Sequence, residues 1–163
     1  MEGSYITISN TGMDELFTVL QNQKVLFQKD GKEEKLLFLN EKPDIKFCIE
    51  EENKDEYKIT PNIDVYNYDV IEGRDNIYFI EKNIMYQCDE TFKQTTLKLL
   101  QVFRNNFTNQ IVFPRAEMRE LFSIVFPKLK EQIDVKKLKR EEVEKFIPKE
   151  LFVKVYLDYN EAN

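Results

Sequence analysis

The amino-acid sequence predicts a single α+β domain over residues 1–163, with an antiparallel, strand-rich N-terminal half and helices concentrated in the C-terminal half. Up to Cys88, short apolar runs alternate with short polar breaks, which is typical of antiparallel strands. Beyond Cys88, apolar residues recur with the spacing of one helix face. No linker rich in Pro, Gly or Ser separates the halves, and 163 residues are an ordinary length for one domain.

The start of the chain predicts a strand, a helix and a hairpin. Residues 5–9 alternate apolar and polar side chains, and a stripe with helical spacing follows. The stripe consists of Met13, Leu16, Phe17 and Leu20. Residues 24–28 form the next strand-like run, and Asp30-Gly31 suits the positive φ angles of a tight hairpin turn. Residues 34–39 should therefore return antiparallel to the preceding strand.

Five further runs predict strands that continue an antiparallel meander. They cover residues 45–50, 57–60, 63–71, 76–81 and 84–88. The breaks between them are short and polar, as in Thr60-Pro61-Asn62. Parallel neighbours need a long crossover, usually a helix, and no helical pattern lies among these runs. We therefore expect antiparallel pairing.

After Cys88 the sequence predicts two helices separated by a short strand. Asp89 can cap the first helix, and Pro114 and Pro127 bracket the second, since proline is tolerated in a first turn and ends a helix elsewhere. Residues 110–113 are strand-like. The first apolar stripe is Phe92, Thr96, Leu99, Leu100 and Phe103; the second is Met118, Leu121, Phe122, Val125 and Phe126.

The last thirty residues predict a short strand over 133–135, a charged helix over 137–146 and a final strand over 151–159. The turn-prone residues 160–163 follow this strand directly. A strand followed by a turn predicts a hairpin partner further on, so we expect the chain to be a piece of a longer protein.

Composition restricts the chemistry that the chain can perform. It has no His, which excludes His-based acid–base catalysis, Ser-His and Cys-His nucleophile pairs, and most catalytic zinc sites. Its 4 Gly leave little material for Gly-rich phosphate loops. The net charge of −6 and pI of about 4.9 argue against electrostatic nucleic-acid binding by the whole molecule.

The sequence predicts a cytoplasmic protein, because neither a signal peptide nor an apolar run long enough to cross a membrane is present. Cys48 and Cys88 are expected to be buried free thiols, with a disulfide as the alternative. Two Cys without His cannot complete a four-ligand zinc site. The glycosylation sequon Asn106-Phe107-Thr108 carries no expectation without secretion.

Two short motifs superficially resemble nucleotide-binding elements. Gly31-Lys32 lacks the first Gly and the Ser or Thr of a phosphate loop. Asp89-Glu90 follows an apolar run, as a magnesium-binding acidic box does, but we favour a helix cap because no phosphate loop precedes it. We therefore expect no catalytic residue, no cofactor and no ATP hydrolysis by this chain.

Acidic and aromatic clusters have structural interpretations that we favour. Residues 50–56 carry five carboxylates without the spacing of a calcium loop, so we expect a solvated hairpin tip. Asp64 and Asp69 could in principle form a hard-cation site or a glycosidase pair, which we do not favour. Tyr66 and Tyr68 alternate with other strand residues; packing is favoured over stacking on single-stranded bases.

A basic patch lies in the C-terminal part of the chain, where residues 128–154 carry 9 basic and 6 acidic side chains. The patch consists of Lys136, Lys137, Lys139 and Arg140, and is a candidate for contact with DNA phosphates or with a partner. Three glutamates between 141 and 144 follow directly and would repel the same backbone. A solvated helix stabilised by local ion pairs is therefore the favoured alternative.

The order of the hydrophobic motifs in this chain resembles the helicase-associated domain of bacterial Swi/Snf-type ATPases. The motifs are Ile77-Tyr78-Phe79, Ile84-Met85-Tyr86-Gln87-Cys88, Leu99-Leu100, Ile111-Val112-Phe113, Phe122-Ser123-Ile124-Val125-Phe126-Pro127-Lys128-Leu129, Ile133-Asp134, Pro148 and Lys154-Val155-Tyr156-Leu157-Asp158. The resemblance begins near Leu16 and is strongest over residues 77–158. Phe126 departs from it, since Leu is expected before the Pro-x-Leu.

The resemblance implies a non-catalytic accessory module that lies N-terminal to the ATPase lobes of the same parent chain and docks on or positions them. Contact with DNA would be weak and would use the patch at 136–140. The family's motifs carry no catalytic residue that could be transferred to this chain. The alternative is a free-standing cytoplasmic protein-interaction domain whose acidic strand half meets a basic partner. No membrane contact or small-molecule substrate is indicated.

Overall fold

The computed structural model describes residues 7–129 and 133–134 of the chain. Strands lie mostly in the N-terminal half and helices mostly toward the C-terminal side, so the predicted α+β class is confirmed. The chain divides into two compact units, Met1–Pro43 with Tyr66–Gln94, and Asp44–Val65 with Thr95–Asn163. The expectation that one domain extends over residues 1–163 stays a prediction.

The described strands are β1 (Lys24–Lys29), β2 (Lys32–Leu39), β3 (Phe47–Asn53), β4 (Glu56–Pro61), β5 (Tyr68–Glu72), β6 (Ile77–Glu81), β7 (Ile84–Cys88), β8 (Ile111–Pro114) and β9 (Ile133–Asp134). The helices are α1 (Asn10–Val19), α2 (Glu90–Phe92), α3 (Lys98–Asn105) and α4 (Arg115–Glu120). A π-helical segment (Lys93–Leu97) joins α2 to α3, and a second one (Leu121–Val125) with a 3-10 turn (Phe126–Leu129) follows α4.

The first unit is a five-stranded sheet with the order β1-β2-β7-β6-β5, covered by α1. The predicted β1–β2 hairpin is confirmed, with Lys29 opposite Lys32. Asp30 and Gly31 adopt φ angles of 52° and 79°, which is the left-handed backbone that a two-residue turn requires and that Gly allows without strain.

The hydrophobic core of the first unit forms between α1 and one face of this sheet. Its buried side chains are Met13, Phe17, Leu36, Phe38, Tyr78, Ile80 and Met85. The Phe17 ring lies 5.2 Å from the Phe38 ring and 5.0 Å from the Tyr78 ring. Met13 and Phe17 belong to the predicted stripe of α1, and the other two stripe residues are partly buried beside them.

The second unit contains a four-stranded sheet with the order β8-β4-β3-β9. β3 and β4 form a hairpin in which Ile49 lies opposite Ile59, and β8 extends the sheet antiparallel to β4. The buried residues of the hairpin are Phe47, Ile49, Tyr57, Ile59 and Pro61. The Phe47 ring stacks on the ring of Phe103 from α3 at 6.1 Å, so α3 contributes to this core.

Two strand pairs are parallel, β2 with β7 and β3 with β9, and the expectation of antiparallel pairing among the strands up to Cys88 was wrong for the first of them. Leu37 of β2 lies opposite Ile84 of β7, and Phe47 of β3 lies opposite Ile133 of β9. Parallel neighbours need a long connection, and residues 40–83 supply it for β2 and β7. This connection consists of two strand hairpins instead of a helix, so the search for a crossover helix missed it.

Two predicted strands differ from the structure: the first is not a strand over its described residues, and the second is shorter than predicted. Residues 7–9 are not a strand; Ser9 instead caps α1 by accepting a hydrogen bond from the Gly12 N–H at 3.2 Å. The predicted strand over 63–71 begins only at Tyr68. The Asn62 side chain accepts a hydrogen bond from the Lys46 N–H and donates one to the Asp44 carbonyl. These bonds stabilise a turn ahead of that strand. The predicted helix over 137–146 and strand over 151–159 lie outside the described residues.

The predicted helix after Asp89 is present but contains a π-helical segment. The extra residue of a π turn rotates the following residues relative to a regular helix. The buried residues are consequently Thr96, Leu97, Leu100 and Phe103. Leu97 thus takes a core position that the regular helical spacing assigned to Leu99.

Candidate functional site

The basic patch predicted from the sequence lies outside the described residues. It comprises Lys136, Lys137, Lys139 and Arg140, whereas the described part of the chain ends with residues 133–134. Its role stays a prediction.

The acidic pair Asp89-Glu90 is placed at a helix start, as the favoured interpretation predicted. Asp89 Oδ1 accepts a hydrogen bond from the Phe92 N–H at 2.9 Å, and Glu90 Oε1 accepts one from Gln94 Nε2 at 2.8 Å. The first bond satisfies one of the backbone N–H groups that a helix start leaves without a partner. Both carboxylates therefore stabilise the helix that begins at this point.

The acidic run on the β3–β4 hairpin is organised around Lys58. Glu50 lies directly opposite Lys58, and a register shift between Glu51 and Asn53 accompanies the turn end of β3. Lys58 Nζ lies 3.1 Å from Glu50 Oε1 and 3.1 Å from Glu52 Oε2. Hydrogen bonds with Glu52 and then Glu50 raise the pKa of Lys58 above its ordinary value. Glu50 and Glu52, which were expected to be solvated, therefore form ion pairs with Lys58.

The other acidic candidates do not form a cation site within the described residues. Asp64 lies between β4 and β5, and Asp69 lies in β5. Across residues 7–129 and 133–134, no group of three His, Cys, Asp or Glu side chains could hold a metal ion.

Sequence reasoning missed a polar cluster around Asp14 of α1. Asp14 Oδ2 accepts a hydrogen bond from the Asp75 N–H at 2.9 Å, and Oδ1 accepts bonds from Asn76 Nδ2 at 3.4 Å and from the Tyr78 hydroxyl. The donors belong to the β5–β6 turn and to β6, so one carboxylate ties α1 to the sheet that it covers. Asp14 follows Met13 as an ordinary polar residue, and nothing in the local sequence pattern marks it.

The electrostatics of this cluster favour the carboxylate over the protonated acid. Burial raises the pKa of Asp14, but the hydrogen bonds from Tyr78, Asp75 and Asn76 outweigh burial and leave the pKa below its ordinary value of 3.8. Burial, reinforced by the bond to Asp14, raises the pKa of the Tyr78 hydroxyl. Asp14 is thus held ionised and Tyr78 is held neutral, which is the combination for a stable charge-assisted hydrogen bond.

Gly73 is needed at the same turn because a side chain would not fit there. A Cβ atom on Gly73 would lie 2.6 Å from Asp14 Oδ1, 2.9 Å from Tyr78 Cε2 and 3.0 Å from the Asn76 carbonyl oxygen. The Gly73 N–H also donates to that carbonyl at 2.8 Å. The turn therefore closes tightly against the Asp14 cluster.

A cleft of about 400 Å³ in the first unit lies beside the β1–β2 turn, the β6–β7 turn and the start of β5. Its charged lining residues are Asp30, Glu34, Asp69, Glu81, Lys32 and Lys82. Oε2 of Glu81 is buried and has no hydrogen-bond donor among the described residues. The excess of carboxylates suits a cationic or neutral polar group better than a phosphate.

The tyrosines that sequence reasoning offered as a stacking platform occupy different environments. Tyr68 is buried and stacks on Phe79 with 5.1 Å between ring centroids, which confirms the packing interpretation for this residue. Tyr66 is 48% exposed and lines the cleft instead.

Both cysteines are free thiols, as predicted, although only Cys88 is fully buried. Burial, with a smaller contribution from the nearby Asp89 carboxylate, raises the pKa of Cys88 to about 12. Since the thiolate is the nucleophilic form, this pKa makes Cys88 an inert core residue.

The family model described as bacterial SNF2 helicase associated matches residues 4–163. No curated protein and no solved structure matches the chain. Among the described residues, no helix has the length and apolar character needed to cross a membrane.

Proposed function

The chain belongs to the bacterial SNF2 helicase-associated family, and on this premise we propose that it is a non-catalytic accessory module of a Swi/Snf-type, DNA-dependent ATPase. It docks on or positions the ATPase lobes of the same parent chain, in the cytoplasm. The family match carries the proposal, because it extends over residues 4–163 and links the chain to one class of motor protein.

The contacts of the acidic side chains support a structural role over a catalytic one. Asp89 caps a helix, Glu50 and Glu52 share Lys58, and Asp14 anchors α1 to the β5–β6 turn. Each of these carboxylates is engaged by a donor from the fold. A general acid or base must instead present its carboxyl group to a substrate.

The test is the effect of this chain on a Swi/Snf-type motor from the same organism. We expect the purified chain to bind the two ATPase lobes in titration calorimetry and to change their DNA-stimulated ATPase rate. Saturation at one chain per motor would support docking at a defined site. Absence of binding, or ATP hydrolysis by the chain alone, would contradict the proposal.

We propose in addition that the patch at 136–140 contributes weak contacts to the DNA backbone. Changing its four cations to Glu should weaken binding of labelled duplex DNA at low salt, and the difference should shrink at moderate salt because the contacts are electrostatic. The control changes Lys24, Lys32, Lys35 and Lys54 to Glu, which alters the net charge by the same amount at exposed positions elsewhere. Equal affinities for the two variants would remove the patch from the proposal.

The alternative function is that of a free-standing interaction domain. Residues 30–75 carry 14 acidic and 7 basic side chains, which would favour a basic partner. In that case the chain would bind a basic protein with salt-dependent affinity and would leave the ATPase rate of the motor unchanged. The titration and the ATPase assay therefore separate the two functions.

A further inference from the structure

Phe107 is the most exposed of the large hydrophobic side chains described in the second unit. Its side chain is 84% exposed, compared with 45% for Val102 on the preceding helix turn. An exposed Phe side chain forgoes the favourable free energy that its burial would provide. Single exposed apolar residues are common, so the exposure needs a second observation before it indicates function.

The second observation is the backbone conformation of Phe107 at the end of α3. The Phe107 N–H donates to the Arg104 carbonyl at 3.1 Å, and the Thr108 N–H donates to the Phe103 carbonyl at 3.2 Å. These two bonds form a Schellman motif, with Asn106 as the C-cap and Phe107 as the residue after it. Phe107 has a φ of 54°, the left-handed conformation that this motif requires.

Glycine is the usual residue at this position of the motif, since it adopts positive φ without a steric penalty. A left-handed conformation is sterically unfavourable for a residue with a side chain, and for a bulky residue it is rare. Phe107 therefore combines two unfavourable features, a strained backbone and an exposed ring. Strained backbone conformations cluster at functional sites, which makes Phe107 a candidate for such a site.

The loop that carries Phe107 is fixed from both sides to the buried residue Val65. Arg104 Nε donates to the Val65 carbonyl at 2.7 Å, and the Val65 N–H donates to Asn109 Oδ1 at 3.1 Å. Thr108 Oγ1 donates to the Gln110 carbonyl at 2.7 Å. The ring is thus presented by a pre-organised loop, which lowers the entropic cost of binding a partner.

The surroundings of Phe107 indicate the chemistry of its partner. Residues 105–114 contain no charged side chain, although 33% of the whole chain is charged. The neighbours of Phe107 in the sequence, Asn106, Thr108, Asn109 and Gln110, are polar and uncharged. Depletion of charge around an aromatic residue is typical of the centre of a protein–protein interface, whereas a DNA backbone requires cations.

We propose that Phe107 is an anchor that inserts into an apolar pocket with an uncharged polar rim on an ATPase lobe of the Swi/Snf-type motor. This inference rests on the proposed function, which supplies the motor as the partner. Anchors of this kind carry a large share of the affinity of an interface.

The decisive variant is Phe107→Gly, because its effects on stability and on binding should have opposite signs. Glycine relieves the left-handed strain, so the midpoint of thermal unfolding should stay equal or rise. Removing the ring should weaken binding to the ATPase lobes about 10- to 100-fold. Phe107→Asn should behave in the same way, since Asn tolerates the left-handed region.

The matched control is Leu26→Gln, which removes an exposed apolar side chain (67% exposed) from β1 in the first unit. It should bind the lobes as the original chain does. If the original chain binds and Phe107→Gly binds equally well, the anchor is refuted while the proposed function stands. If the original chain does not bind the lobes, the proposed function fails and the anchor with it.

A photo-crosslinking amino acid at position 107 tests the identity of the occupant. We expect a crosslink to an ATPase lobe in the mixture of the chain and the motor. A crosslink to a second copy, or within the same chain to residues 135–163, would overturn the proposal. So would a loss of thermal stability in both Phe107→Gly and Phe107→Asn, because the ring would then be a structural element.

Discussion

At the scale of single residues, Asp14 shows how one carboxylate joins a helix to a sheet. Its two oxygens accept hydrogen bonds from the turn between β5 and β6 and from Tyr78 on β6. The absence of a side chain at Gly73 allows this close approach. The cluster therefore joins Asp14 to a segment, residues 73–78, that lies about sixty positions further along the chain.

Replacing Asp14 by Asn should lower the free energy of unfolding by about 1–3 kcal/mol, because the charge-assisted hydrogen bonds are lost and the hydroxyl of the buried residue Tyr78 is left poorly satisfied. Urea denaturation followed by circular dichroism measures the difference. The control is Glu15→Gln on the exposed side of the same helix, which should change stability by less than about 0.5 kcal/mol. Equal effects of the two variants would contradict the role of Asp14.

The Asp14 cluster also predicts a pH dependence. The pKa of Asp14 is lower in the folded chain than its ordinary value of 3.8. Its contribution to stability is therefore fully present above that value and is lost as the pH falls through the folded pKa. The stability difference between the original chain and Asp14→Asn should shrink between pH 6 and about pH 3. A difference that stays constant over this range would show that ionisation of Asp14 does not matter.

At the scale of elements, Asp89 determines where a helix begins. Changing Asp89 to Ala should cost about 1 kcal/mol by removing the cap, whereas Asp89→Asn should retain most of the stability because the amide oxygen can accept the same bond. Thermal unfolding of both variants measures the effect. A loss of the same size in Asp89→Asn would indicate that charge, and not the cap, is what stabilises this helix start.

Elements with local signals were predictable from the sequence. Asp30-Gly31 predicted the β1–β2 hairpin, and Asp89 predicted the start of a helix. Both predictions were possible because turn and cap preferences depend on only a few neighbouring residues. The pairing of β2 with β7 joins residues 47 positions apart, and no local pattern encodes it. The π-helical segment could not be predicted either. Regular helical spacing places Leu99 on the apolar face of the helix, whereas the structure buries Leu97.

The candidate site was predictable to a similar extent. The helix-capping role of Asp89 followed from its position before an apolar stripe. The Asp14 cluster did not, because its partners come from a distant turn. Phe107 was noted in the sequence only as part of a glycosylation sequon. It is nevertheless recognisable there as an isolated aromatic residue within a run of Asn, Thr and Gln. An aromatic residue at a helix end where Gly is usual would have drawn attention to it.

At the scale of the whole molecule, the two compact units are interleaved along the chain. The first unit consists of Met1–Pro43 and Tyr66–Gln94, and the β3–β4 hairpin of the second unit lies between these segments in the sequence. The elements that pair or pack with this hairpin, which are β8, β9 and α3, all follow residue 94 in the chain. Neither unit can therefore be obtained from one continuous segment.

A chain truncated after residue 94 should consequently expose the apolar face of the hairpin. Phe47, Ile49, Tyr57 and Ile59 are each at most 1% exposed in the full chain. We expect the truncated chain to bind a hydrophobic dye and to aggregate, and both can be measured by fluorescence and light scattering. Replacing residues 44–65 by a Gly/Ser linker of equal length should restore solubility. A soluble truncated chain without dye binding would contradict the interleaved arrangement.

The parallel pair of β2 and β7 has a consequence for synthesis on the ribosome. Residues 40–83 must be translated after β2 is complete and before β7 begins, which takes roughly 2–9 s at about 5–20 residues per second. During this interval β1 protects one side of β2, while the backbone groups on its other side have no strand to bond. The nascent chain thus presents an open strand edge for seconds, and this is the stage at which chaperones would have the greatest effect on its yield.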